Sequence, residues 1–210
     1  MRTKKMIQRC FYLPLVVLAA LQTACSLGGP SRPAEFYVLS ASPATPVAGR
    51  ESSDVPLSVA VGPVDLPDIF DRPQIVTRPG ANRIGLAEFN RWGGDLNADL
   101  SRVLVQNLMV RLNTQNVFTY PLLRDARADY RVAMRFFRFD GELGKRVTLS
   151  GTWQLLNGDS GCPLATRGFD ISETPTGPTY DDFVQAISDG VAQLSQEIAV
   201  QIVAAKPGCR

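Results

Sequence analysis

No histidine occurs among the 210 residues. That omission removes Ser-His-Asp and Cys-His catalysis and every His-ligated metal site in one step. Carboxylates, cysteines and arginines remain as the groups able to do chemistry. Two carboxylate pairs are close enough in sequence for acid–base work, Asp65 with Asp68 and Asp181 with Asp182. The first sits in a proline-rich connection. The second follows Thr179 in a Thr-x-x-Asp pattern, where a carboxylate is expected to cap a helix. No Gly-rich phosphate loop, metal-ligand spacing or nucleophile elbow accompanies either pair. The expectation is a protein that is not an enzyme, with no catalytic residue, no metal and no free cofactor. Arg131, Arg135 and Arg138 form a row on one strand-like run. The row reads as an anion site or as a solvated strand face.

Residues 1–24 carry Arg2, Lys4, Lys5 and Arg9 and no acid, with an apolar run over 11–21. The run is too short to cross a bilayer as a helix. The layout is that of a secretory signal. It ends in Leu21-Gln-Thr-Ala-Cys25, a small residue before a cysteine, which resembles a bacterial lipobox; Gln22 stands where that motif usually has leucine. Cys25 is therefore the expected lipidation site, and its covalent acyl chains take the place of a cofactor. Several chains at ~0.8 kcal/mol per buried CH2 make a stable anchor, where one alone is marginal. Plain signal cleavage nearby would instead leave Cys25 an ordinary thiol. Ser26, rather than Asp, follows the cysteine, which resembles lipoproteins sorted to the outer membrane.

Two cysteines remain after processing, Cys162 in a Gly-Cys-Pro turn and Cys209 in the tail. An oxidising compartment permits a Cys162–Cys209 disulfide. Nothing in the sequence brings the two together, and free thiols are the other reading. The 22 basic and 20 acidic residues give a net +2. Without the four basic residues of the leader, 18 stand against 20, a net −2. The basic balance belongs to the leader, so no nucleic-acid partner follows from it.

Apolar content of 45% is ample for one packed domain. Leu96, Leu100, Val103, Leu104, Leu108 and Leu112 recur at helical spacing, as do Phe183, Ile187, Val191, Leu194, Ile198 and Ile202. Both stripes read as core. Residues 74–78 and 83–89 flank a hairpin loop. A short strand is expected at 117–120. Tyr130, Val132, Met134 and Phe136 alternate with polar or small neighbours, Asp140-Gly141 and Gly144 signal a turn, and Val147, Leu149, Gly151, Trp153 and Leu155 form an inner strand face. A third strand over 164–173 completes an antiparallel meander. The fold class is α+β: a mixed, largely antiparallel sheet with two amphipathic helices packed on one face. The expected layout is a signal over 1–24, an anchor and flexible tether over 25–56 with a short strand near 35–39, a domain over 57–205 and a tail over 206–210.

Residues 57–64 alternate as a strand and lead into 66–76, Leu-Pro-Asp-Ile-Phe-Asp-Arg-Pro-Gln-Ile-Val. Pro63, Pro67 and Pro73 exclude helix, because each lacks an amide donor and restricts the residue before it. The expectation is an extended, rigid crossing that holds Ile69 and Phe70 outward. Leu66, Ile69, Phe70 and Arg72 are then candidates for a partner or subunit contact, since a stiffened loop loses little entropy on binding. A plain structural connection between strands is the alternative.

That stretch joins Phe36-Tyr-Val-Leu39, Glu88-Phe-Asn-Arg-Trp92, the 149–155 strand with Trp153, and Tyr180 with its helix. In this order they resemble the PqiC-type ABC-transport auxiliary lipoproteins, over roughly residues 35–203. The resemblance implies an α+β domain without catalysis, anchored in the outer membrane on its periplasmic face. Such a domain docks an MCE (mammalian cell entry) tunnel protein that moves phospholipids, and so supports membrane integrity. The resemblance also implies a ring-shaped homo-oligomer; on the reading of the residues themselves, Ile69 and Phe70 are the first place to look for a subunit or tunnel contact. A stand-alone periplasmic lipid-binding carrier is the other reading, and it would be monomeric.

Overall fold

The computed structural model describes residues 32–42, 45–48, 57–121 and 127–205. The chain divides into Met1–Pro33 and a second compact unit, Ala34–Arg210, which carries every element below. In chain order these are β1 (Glu35–Tyr37), β2 (Val59–Asp65), β3 (Gln74–Gly80), β4 (Arg83–Trp92), α1 (Leu96–Arg111), β5 (Val117–Thr119), β6 (Tyr130–Glu142), β7 (Arg146–Asn157), β8 (Pro163–Glu173) and α2 (Tyr180–Ala204).

The fold is α+β, mostly antiparallel, with both helices against the larger sheet. The expected single sheet is two. One has the order β5-β2-β6-β7-β8, the other β1-β4-β3. The β6-β7-β8 meander runs antiparallel in the expected register, with Met134 opposite Trp153 and Leu149 opposite Ile171. Strand β2 pairs in parallel with both β5 and β6. Neighbouring strands take up both edges of β2, the helix over Leu96–Arg111 packs against it, and Val59, Ala60 and Val61 are all buried despite their alternating sizes.

Both predicted stripes face the core: all six residues of each are buried. Helix α1 lies on β2 and β5, α2 on β7 and β8, and the helices pack on each other. The Asp95 side chain caps α1 by accepting from the Ala98 amide at 2.7 Å. Thr179 and Asp182 form a reciprocal capping box at the start of α2. Between β7 and α2 the fit is close, because a Cβ on Gly190 would come within 2.7 Å of Leu149 Cδ1.

The tether expected over 25–56 is shorter than the sequence suggests. Strand β1 pairs in parallel with β4, and Leu39 is 1% exposed. The Leu39 amide donates to Asp99 Oδ2 at 2.7 Å, and Arg102 Nη2 donates to the Leu39 carbonyl at 2.7 Å. Farther on, the Ser40 amide donates to Ser188 Oγ at 3.1 Å and the Val47 amide to the Arg111 carbonyl at 2.8 Å. These described residues are bound to the two helices, where composition alone reads as flexible loop. Strand β6 also outruns its expected end. Asp140 and Gly141 lie inside the strand, and the turn falls on residues 143–145, with Gly144 at φ +69°.

Candidate functional site

The 66–73 crossing is a compact reversal, not the extended bridge its prolines suggest. The Phe70 amide donates to the Pro67 carbonyl at 2.8 Å, the Asp71 amide to Asp68 at 3.2 Å, and the Arg72 amide to Phe70 at 2.9 Å. This turn swings Phe70 inward, where it is 2% exposed. Its ring meets Phe139 at 6.4 Å and 62°; Phe139 in turn meets Phe136 edge-on at 5.6 Å, and Phe136 meets Phe169 at 5.3 Å. Leu66 is also in the core, at 5% exposure. The outward placement expected for Phe70 and the partner contact expected of Leu66 are therefore corrected, and neither side chain is available to a partner. Burying a large apolar side chain is worth about 1.5–3 kcal/mol, and a three-residue turn is enough to collect it. Ile69 is half-buried against the same core, and Arg72 is half-buried.

The carboxylate pairs do structural work. Asp65 Oδ2 accepts from Arg135 Nε at 2.6 Å between two exposed side chains. Asp182 takes hydrogen bonds from the Thr179 hydroxyl, the Thr176 hydroxyl and the Thr179 amide, which hold its carboxyl below the usual range. The arginine row splits. Arg131 sits over the Tyr120 ring at 4.9 Å, Arg135 pairs with Asp65, and Arg138 turns to Asp140. A bulge between Phe136 and Arg138 sets Arg138 apart.

Asp140 is the residue the sequence hides. Its side chain is fully buried, between Arg78 Nε at 2.6 Å and Arg138 Nη2 at 2.9 Å. Arg78 belongs to β3 and Arg138 to β6, so one carboxylate ties the two sheets together. Asp-Gly is a turn signal in sequence, and only the continuation of β6 reveals the carboxylate as an interior group.

Cys25 and Cys209 lie outside the described residues. Cys162 is disulfide-bonded, and its partner also lies outside them. The Tyr130 hydroxyl donates to the Ala205 carbonyl at 3.2 Å, and the Asn157 amide donates to the Cys162 carbonyl at 2.9 Å. Tyr130 and Asn157 are cross-strand neighbours, so α2 ends on the same edge that carries Cys162. No described helix is long and apolar enough to cross a membrane. No cluster of three His, Cys, Asp or Glu suited to a metal occurs among the described residues.

A family profile described as ABC-type transport auxiliary lipoprotein component matches residues 37–199. The chain belongs to that family. Two solved structures share its fold at a TM-score of 0.66. One is an uncharacterized protein, 24% identical, in a match covering 81% of this chain and 99% of that one. The other is a Xanthomonas campestris protein of the DUF330 family, 18% identical, covering 81% and 95%. Among curated proteins, no sequence matches this chain significantly. The PqiC-like resemblance and the α+β class expected from the sequence are thus correct. The auxiliary lipoprotein is a component of a transport system and a membrane-anchored protein by family.

Proposed function

We propose that this auxiliary lipoprotein is a non-catalytic subunit of an MCE-type intermembrane lipid transport system. It is anchored by acyl chains on Cys25 in the outer membrane, faces the periplasm and works as a homo-oligomeric ring that docks the MCE tunnel. The observation that carries this reading is the family match over 37–199, which spans both sheets and most of α2. The Ala24-Cys25 junction behind an apolar run supports the anchor, and Ser26 supports the outer membrane. The same compartment would sustain a Cys162–Cys209 bridge.

The test is co-isolation. The tagged full chain is expressed with an MCE-domain protein, extracted in mild detergent and weighed by native mass spectrometry. The expected result is a complex containing several copies of this chain. A monomer that elutes alone with phospholipid would overturn the subunit reading in favour of a stand-alone carrier.

A further inference from the structure

Where β3 approaches the β6–β7 turn, the surface opens into a cleft of about 670 Å³. That lies inside the ~300–1,000 Å³ typical of small-ligand sites. Arg78, Arg138, Lys145 and Arg146 all line it. Among the described residues two carboxylates pair with these four cations, Glu142 on the rim and Asp140 behind, which leaves two positive charges over. Lys145 Nζ is held by Glu142 at 2.6 Å. The Arg146 side chain has no hydrogen-bond or ion-pair partner among the described residues.

The cleft is also pre-shaped. Asp140, at zero exposure, fixes two guanidinium groups from different sheets, while the Arg78 and Arg138 side chains stay 27% and 43% exposed. Each guanidinium carries five N–H donors, and Asp140 and the Ala81 carbonyl use only part of that set. Thr148 lines the same cleft at 6% exposure, with a hydroxyl that makes no hydrogen bond among the described residues. That hydroxyl is not among the buried side-chain atoms left without a partner, so it reaches the cleft and is open to a ligand or to water. Above Gly80 there is open space, since a Cβ there would meet nothing within 4 Å.

We propose that this cleft binds a phosphate-type oxyanion. A carboxylate presents its two oxygens in one plane. Donors arriving from β3, β6 and β7 suit a tetrahedral group with oxygens on several sides. Arg146 supplies the charge not already committed, Arg78 and Arg138 the fixed donors, and Thr148 a neutral hydroxyl. Both inorganic phosphate and the phosphodiester of a lipid headgroup carry this chemistry.

The experiment titrates the full chain in non-ionic detergent by calorimetry at constant ionic strength. One arm uses inorganic phosphate; the other uses glycerophosphoglycerol, the deacylated headgroup of phosphatidylglycerol. Saturable binding of either probe is expected. Arg146→Gln, which removes an unpartnered side chain, and Gly80→Glu, which puts a carboxylate into open space, should each weaken it by about tenfold or more. Unfolding temperatures should stay unchanged. Tighter binding of phosphate identifies a free-anion site; tighter binding of the diester identifies a headgroup site. No saturable binding of either probe, or binding that survives both variants, overturns the proposal. No partner protein takes part, so that failure would leave the transport reading untouched.

Discussion

Phe70 shows how one side chain decides between a surface and a core. Two flanking prolines stiffen the chain, and the pairing of Ile69 with Phe70 looks like a presented apolar tip. The turn hydrogen bonds at Pro67 and Asp68 reverse that presentation. Truncating a buried phenylalanine costs about 3–5 kcal/mol, transfer and cavity together. Phe70→Ala should therefore lower stability by that amount, read from the urea midpoint of the isolated protein. An unchanged midpoint would return Phe70 to the surface. Trp153 went the other way: strict alternation along its strand placed it inward, and it is 1% exposed. Alternation is a local property that sequence displays directly. The direction of a loop side chain depends on which carbonyls its amides find, and no pattern of types records that. Asp140 was illegible for a related reason. Its neighbour Gly141 packs so tightly on the next strand that a Cβ would fall 2.0 Å from the Arg146 carbonyl. That glycine serves strand approach, while in sequence it reads as a turn.

Among elements, the two helices were legible almost to their ends, because six apolar residues at helical spacing leave one register for each. The partners of the strands were not. A hairpin writes its pairing in its turn, but the parallel pairs of β2 with β5 and β6 join segments far apart in sequence. The start of α2 was legible down to the atoms, and it carries a pH prediction. The Thr179 hydroxyl, then the Thr176 hydroxyl and the Thr179 amide, favour the ionised Asp182 carboxylate. A carboxyl whose folded pKa is depressed contributes in full above the ordinary carboxylate range. The contribution disappears as pH falls through the depressed value. Asp182→Asn should therefore destabilise the protein most at neutral pH. The gap between variant and wild type should close at acid pH, below the ordinary carboxylate range. Denaturant midpoints of both proteins along a pH series test this; a gap that stays constant would show that the capping box acts without the charge.

At the scale of the whole molecule, the structure changes how far the folded body can stand from a membrane. Composition suggests a spacer reaching residue 56, but β1 is already part of a sheet at Glu35. Ten residue steps separate Cys25 from Glu35, which span at most about 36 Å at ~3.6 Å each. The segment beyond β1 adds nothing to that reach, because Leu39, Ser40 and Val47 are bonded to the helices. With the acyl anchor proposed at Cys25, the body would depend on that anchor for position and not for its fold. Cys25→Ala should abolish labelling by a clickable palmitate and move the protein from the membrane to the soluble fraction. Its thermal midpoint should match wild type, since every described element lies past the anchor. Equal labelling of the two proteins would remove Cys25 as the acylated residue. Loss of label with retention on the membrane would show that the folded body holds the bilayer through its own surface.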